Sequence, residues 1–239
     1  MSAWTPDARI ALYYAPPAAS AWWHAGSEWL GRDAETGEFM EPPVVPALGQ
    51  PVASLTVAPR RYGWHGTLVP PFHIAEGYNT EHVVLAAKEW AKRIAPFKAP
   101  LQAADLGRFV ALRAAQSEHD GAIRDIAASA LHALASLRAR PSPEDTEKRL
   151  APHLTPRQRA LLLEWGYPYV LDEFRFHMTL SDSIDSEAQR TAIRTLWQAR
   201  SEALGPLPFH GAALFVQAHR DAPFSLWQRL PFADAGARA

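Results

Sequence analysis

Two stretches of this chain repeat one string, His-x-Thr-Leu: His65-Gly66-Thr67-Leu68 and His177-Met178-Thr179-Leu180. Each has an aromatic residue directly before its histidine (Trp64, Phe176) and an arginine shortly upstream (Arg61, Arg175). Scattered at random, the chain's 10 histidines would give about 0.05 copies of the string, and two copies on the order of once in a thousand such chains. The repeat is therefore read as function. Two imidazoles and two hydroxyls suit phosphoryl transfer at a diester: one histidine takes a proton from the attacking water or hydroxyl, the other protonates the leaving oxygen. The ordinary imidazole pKa lies near working pH, so one residue type serves both roles. Threonine hydroxyls donate hydrogen bonds to the non-bridging oxygens, where transition-state charge is held. An arginine at the rim adds bidentate phosphate contact. This chemistry needs no metal or other cofactor. A metal site on the two histidines is the chemical rival, but neither has a His-x-x-x-His or carboxylate-bearing partner motif beside it.

Such chemistry needs elements that aim all four groups one way. Read as strands, 61–70 and 174–181 put Arg61, Gly63, His65 and Thr67 on one face, and Arg175, His177, Thr179 and Ser181 on the corresponding face of the second. The residues between them, Tyr62, Trp64 and Leu68, then Phe174, Phe176, Met178 and Leu180, are nearly all apolar and face the core. The catalytic candidates are His65, Thr67, His177 and Thr179; Arg61, Arg175 and Ser181 are candidate substrate contacts. One of Tyr13 and Tyr14, on the first strand, should also face the cleft. Period alone does not choose between them, and core packing competes for both; Tyr13 is taken as the candidate. Trp22, Trp23 and Trp64 read as core. His24, His73, His82, His119, His132, His153, His210 and His219 lack metal-ligand spacing and read as surface or local structure.

The remaining elements follow from periodicity and punctuation. Strands are predicted at 9–15, 101–105, 108–114, 209–219 and 225–230, and helices at about 20–30, 80–94 (capped by Thr80), 120–138, from Pro156 to about 165 (capped by Thr155) and 186–203 (capped by Ser186). Residues 32–60 are rich in proline and glycine and read as a long surface loop with one short helix near its end. That loop and the helical stretch 117–165 are expected to shape the cleft mouth. Strands and helices mix without βαβ alternation, so an antiparallel α+β fold is favoured over a doubly wound sheet.

Bulk composition sets outer limits. The chain has 239 residues, 48% of them hydrophobic, which suits one large domain or two small lobes sharing a cleft. Its 24 basic and 25 acidic side chains are well mixed, giving a net charge of −1. A protein that grips extended nucleic acid carries a basic stripe, so the expected partner is a small phosphorylated molecule. With no cysteines, disulfides, thiol nucleophiles and thiolate metal sites are excluded together. The opening residues show no secretion signal and no apolar run is long enough to span a membrane, so the cytoplasm is the expected compartment. Oligomeric state is not legible.

Paired His-x-Thr strings on two strands, half a chain apart, resemble the 2H phosphoesterase superfamily, which includes RNA cyclic phosphodiesterases and 2′-5′ ligase-like proteins. The longer strings Arg-Tyr-Gly-Trp-His-Gly-Thr-Leu-Val-Pro-Pro-Phe (61–72) and Phe-Arg-Phe-His-Met-Thr-Leu (174–180) are similar to a narrower branch. So are Arg9-Ile-Ala-Leu-Tyr-Tyr-Ala-Pro16 and Trp29-Leu-Gly-Arg-Asp33. That branch is the DUF1045-type proteins, often labelled phosphonate-metabolism proteins. The resemblance covers most of 9–232. It implies a single bilobal α+β domain with two pseudo-symmetric antiparallel sheets and flanking helices, the motifs facing each other across a central cleft. The first lobe would span about 9–100 and the second about 101–232, with strands free to exchange between them. It also implies metal-independent turnover of a small cyclic phosphodiester, such as a phosphoribosyl cyclic phosphate of phosphonate metabolism. The alternative is a non-catalytic protein that keeps the cleft to bind or sense a nucleotide or cyclic phosphate.

Overall fold

The computed structural model describes residues 7–150 and 153–233. The N-terminal residues read above for a secretion signal, and the tail from 234 on, lie outside them. In chain order the elements are β1 (Arg9–Tyr14), α1 (Ala21–Leu30), α2 (Val52–Leu55), α3 (Val57–Tyr62), β2 (Gly66–Phe72), α4 (Thr80–Ala91), β3 (Phe97–Ala99), β4 (Leu101–Leu106) and β5 (Phe109–Ala114). Then come α5 (Ser117–Ala133), α6 (Pro143–Arg149), α7 (Pro156–Trp165), β6 (Met178–Thr179), α8 (Glu187–Leu204), β7 (Leu207–Phe209), β8 (Gly211–Gln217) and β9 (Ser225–Pro231).

Seven strands form one sheet in the order β4-β5-β6-β2-β1-β8-β9, antiparallel throughout, and β3 pairs with β7 in a second, two-stranded sheet. The fold is therefore the antiparallel α+β class expected. The two His-x-Thr segments meet at the centre of the large sheet. On one side of their junction stand β4 and β5; on the other stand β1, β8 and β9. The two halves of the expected cleft are thus halves of a continuous sheet, and the C-terminal hairpin β8–β9 joins the half that holds β1 and β2.

Hydrophobic packing fixes the junction from below. Tyr14, Phe176 and Phe209 are buried together, with Tyr14 stacked on Phe209 at 4.2 Å and Phe176 edge-on to Phe209 at 5.7 Å. Gly66 is a glycine because that cluster leaves no room for a side chain: a Cβ there would lie 2.3 Å from the Phe176 ring. On the approach to β2, Trp64 is buried flat against Gly26 of α1 and stacked on Trp197 of α8 at 5.3 Å. Trp29 meets Trp197 edge-on, and its indole N–H donates to the Leu180 carbonyl at 2.7 Å, tying α1 to the second motif. Buried tryptophans of this size each contribute about 1.5–3 kcal/mol or more, so the three together hold both motifs in place.

Four expectations change. The segment 61–70 does not run as one strand: Arg61 and Tyr62 end helix α3, Gly63 breaks it with a φ of 79°, and β2 starts at Gly66 and passes through Pro70 and Pro71. The second segment, read as a strand over 174–181, pairs only at Met178–Thr179. Continued by the register of Gly66 opposite Met178, the ladder would set Pro70 against Phe174, and a proline has no N–H to give. The loop 32–60 is more ordered than its composition suggests, with a 3₁₀ turn at Pro46–Leu48 before α2 and α3. Its helices are held by tertiary bonds, since Arg60 donates to the carbonyls of Leu30 and Ala53. Finally, Asn79, not Thr80, caps α4: its side chain accepts from the backbone of Glu81 and His82, and the His82 ring accepts from the Asn79 amide. The Thr155 and Ser186 caps stand as read.

Candidate active site

Helix α3 delivers the first histidine. Asp182, three residues past Thr179, accepts the backbone N–H groups of Val57 and Ala58 at 2.7 and 3.0 Å, so a carboxylate from the second motif caps the helix leading into the first. Gly63 then turns the chain. Its conformation is unfavourable for any residue with a Cβ, and one here would meet Ala34 at 2.4 Å.

The register at the junction sets the geometry. Gly66 lies opposite Met178 on antiparallel strands. One residue to either side, His65 comes opposite Thr179 and Thr67 opposite His177, and all four project from the face that Gly66 and Met178 turn away from. Directly opposed residues of such a pair have Cβ atoms about 4.5–5.5 Å apart, the span of a phosphate group with its hydrogen bonds. The four groups line one cleft of about 430 Å³.

Both imidazoles are held alike. His65 Nδ1 lies 2.8 Å from the Gly63 carbonyl, and His177 Nδ1 lies 2.9 Å from the Arg175 carbonyl. A carbonyl only accepts, so each Nδ1 carries its proton and each Nε2 is free to exchange one. The Thr67 hydroxyl is 3.4 Å from His65 Nε2. Burial pushes the His65 pKa down to about 4, with the Gly63 carbonyl opposing and the charge of His177 assisting. His177 is lowered less strongly, chiefly by burial and also by the Arg113 charge, while the Arg175 carbonyl raises it. Arg113 stands beside His177 because β5 pairs Leu112 with Met178.

Tyr13 and Tyr14 take opposite faces of β1. Tyr13 stacks on His65 with ring centres 4.0 Å apart and forms part of the cleft wall, and burial raises its phenol pKa. Tyr14 belongs to the core, donating to the Pro208 carbonyl. Of the other three candidates, Arg61 and Arg175 are off the wall of this cleft, and Ser181 lines an adjoining pocket with His65 and Thr179. Arg61, on the helix rather than a strand, points elsewhere and donates to the Arg220 carbonyl. Arg175 is exposed and off the cleft wall; it precedes the paired stretch, so no ladder holds it on the face of His177. Its part, like that of Gly63, is played by its carbonyl. Ser181 is buried, accepting from the Val110 amide at 3.0 Å and donating to the Asp182 carbonyl at 2.8 Å, which makes it a strand fastener.

Residues the sequence reading left out complete the walls: Arg9, Tyr62, Arg149, His153, Tyr167 and Tyr169. Tyr62, assigned to the core by strand alternation, is half exposed and 6.0 Å from His65 because it ends a helix. His153, read as a surface histidine, is exposed and also stands on the cleft wall. The stretch 32–60 contributes nothing to this cavity, whereas 149–169 supplies a whole side of it.

Among known proteins, two relatives are similar to this chain in sequence. Each is named ribose 1,5-bisphosphate phosphokinase PhnN. The one from Janthinobacterium sp. (strain Marseille) is 35% identical over 97% of this chain and 52% of its own length. The one from Laribacter hongkongensis (strain HLHK9) is 38% identical over 91% and 50%. The chain thus spans about half the length of the curated relatives it matches. Two solved structures show a loose likeness at 13% identity, each covering 96% of this chain and 100% of its own: one titled a phosphoesterase (TM-score 0.45) and E. coli LigT complexed with NADP+ (TM-score 0.42). The family described as "Protein of unknown function (DUF1045)" matches residues 67–225, which take in Thr67 and the entire second motif. On that match the chain belongs to the DUF1045 family.

Proposed function

We propose that this chain is a metal-independent phosphoesterase of the 2H type, which opens a small cyclic phosphodiester by two-histidine acid–base catalysis. The observation that carries the reading is the register of Gly66 opposite Met178, with both Nδ1 atoms tied to carbonyls and both Nε2 atoms left for the cleft. A phosphate seated there has an imidazole on either side, the arrangement an in-line displacement needs, and hydroxyls from Thr67 and Thr179 for its non-bridging oxygens. His65, neutral at working pH, suits the base that accepts the proton of the attacking water. His177 suits the acid that protonates the leaving oxygen, because a bound phosphate anion opposes the burial that lowers its pKa.

The substrate reading is narrower. The two relatives are named for a doubly phosphorylated ribose, which fits a phosphoribosyl cyclic phosphate in phosphonate metabolism. Their kinase name speaks for proteins twice as long. This chain has no Gly-Lys pair and hence no nucleotide-binding loop of the G-x-x-x-x-G-K-[ST] kind. One observation favours the non-catalytic alternative: burial lowers the pKa of both histidines in the free protein, which works against the charged imidazole an acid requires.

The test is turnover of ribose 1,2-cyclic phosphate, nucleoside 2′,3′-cyclic phosphates and linear diesters in EDTA, with His65→Ala and His177→Ala beside the parent. Activity should survive EDTA and fall at least 10³-fold in each variant, consistent with losing a general acid or base and its positioning. Binding without turnover would establish the sensor, and loss of activity in EDTA would assign the site to a metal.

A further inference from the structure

Beside the histidine cleft, and sharing Arg9, Tyr62, Pro71 and Arg149 with it as a common edge, lies a larger cavity of about 1010 Å³. Six arginines line it: Arg9, Arg61, Arg138, Arg140, Arg149 and Arg220. None forms an ion pair within the described residues. Arg9 bonds to the amide oxygen of Gln217 and lies over the Phe224 ring; Arg61, Arg138 and Arg149 donate to backbone carbonyls. Two aspartates, Asp7 and Asp145, also line the cavity, leaving four positive charges in excess in a chain whose net charge is −1.

That concentration is costly without an anion. Arg138 is half-buried, its Nε has no hydrogen-bond partner, and its pKa is pushed down to about 10 by desolvation and by the neighbouring charge of Arg149. Elsewhere in the molecule arginines meet carboxylates, as in Arg157–Asp172, Arg190–Asp105 and Arg229–Glu35. In this cavity the arginines outnumber the two aspartates, so an anionic ligand would supply the missing counter-charge. A phosphomonoester brings about two negative charges at neutral pH, and a di- or triphosphate chain about three or four. The volume also far exceeds one phosphate group.

Resting on the phosphoesterase reading of the adjoining cleft, and in place of the phosphoribosyl substrate, we infer that the substrate carries an oligophosphate chain of two or more phosphates. That chain is gripped by the arginine cavity while the ester to be cleaved lies between His65 and His177. Arg9 and Arg149, on the shared edge, would bridge the two phosphate centres.

The experiment has a binding arm and a turnover arm. Isothermal titration with inorganic tripolyphosphate and with orthophosphate should give at least tenfold tighter binding of tripolyphosphate. That affinity should drop at least tenfold in the double variant Arg140→Glu, Arg220→Glu, whose side chains are exposed, with thermal melts confirming that the variant folds. In the turnover arm, kcat/KM for a nucleoside 2′,3′-cyclic phosphate bearing a 5′-triphosphate should exceed that of the 5′-hydroxyl form at least tenfold, and the ratio should collapse toward one in the double variant. If tripolyphosphate binds no better than orthophosphate, or if the charge reversal leaves its affinity unchanged, the inference is wrong. If no cyclic phosphate is turned over but tripolyphosphate binding is lost on charge reversal, the arginine site stands and the hydrolase reading falls.

Discussion

His65 is caught between opposing demands: its ring is stacked on Tyr13 and largely desolvated, yet its Nε2 must face the cleft. The consequence is measurable without substrate. Its pKa falls from 6.5 in the unfolded chain to about 4 in the folded one. Between those values the unfolded state binds more protons, so the stability this group contributes is complete above about pH 6.5 and is lost as pH falls toward 4. Urea melts at pH 7.5 and pH 5 should show the parent losing more stability on acidification than His65→Gln, and equal losses would contradict the desolvated setting. The histidines and threonines were legible in the sequence because chemistry repeats residue types at fixed offsets. Their supporting carbonyls were not, because every residue has one. Tyr62 was misplaced because a six-residue helix with Pro59 inside it has no apolar rhythm to announce it.

At the scale of elements, the meeting of β2 and β6 depends on Gly66. A side chain there collides with the Phe176 ring, which lies within the buried cluster of Tyr14 and Phe209 and has nowhere to go. Gly66→Val should destabilise the fold by about 1–3 kcal/mol, the usual cost of overpacking. It should also cut phosphodiester turnover by more than tenfold, since the strands carrying the two histidines are forced apart. An unchanged melting temperature would show that the seam is looser than this packing requires. Long elements such as α5 and α8 were read from period and caps, whereas β6, with two paired residues, leaves no periodic trace distinct from its unpaired neighbours.

For the whole molecule, the question is which surface segment selects the substrate. Both the proline-rich loop and the helical stretch before the second motif were candidates on length alone. The main cleft is lined by Arg149, His153 and Leu154 of that stretch and by Tyr167 and Tyr169 just beyond it, while the end of the loop, at Ala58 and Pro59, borders an adjoining pocket with His65 and Thr179. Grafting residues 143–169 from another DUF1045 relative should therefore change the ratio of kcat/KM between two cyclic phosphates, while grafting 35–51 should leave that ratio in place. The reverse result would put selection in the loop. Sequence could not separate these two, because the answer depends on which way a connection folds back across the sheet.

The four-residue core has one more property. Rotating it by half a turn about the midpoint between Gly66 and Met178 exchanges His65 with His177 and Thr67 with Thr179. Such a core has no inherent polarity: a phosphate seated in it meets the same groups from either side, and the attacking and departing oxygens could trade places. Direction must then be imposed from outside, by Tyr13 covering one imidazole and the Arg113 charge standing beside the other. By microscopic reversibility the same two imidazoles can serve either direction of such a step, with acid and base exchanged. The cleft sets only the rate; the free energies of reactants and products, and the supply of water, set which way the ring reaction runs.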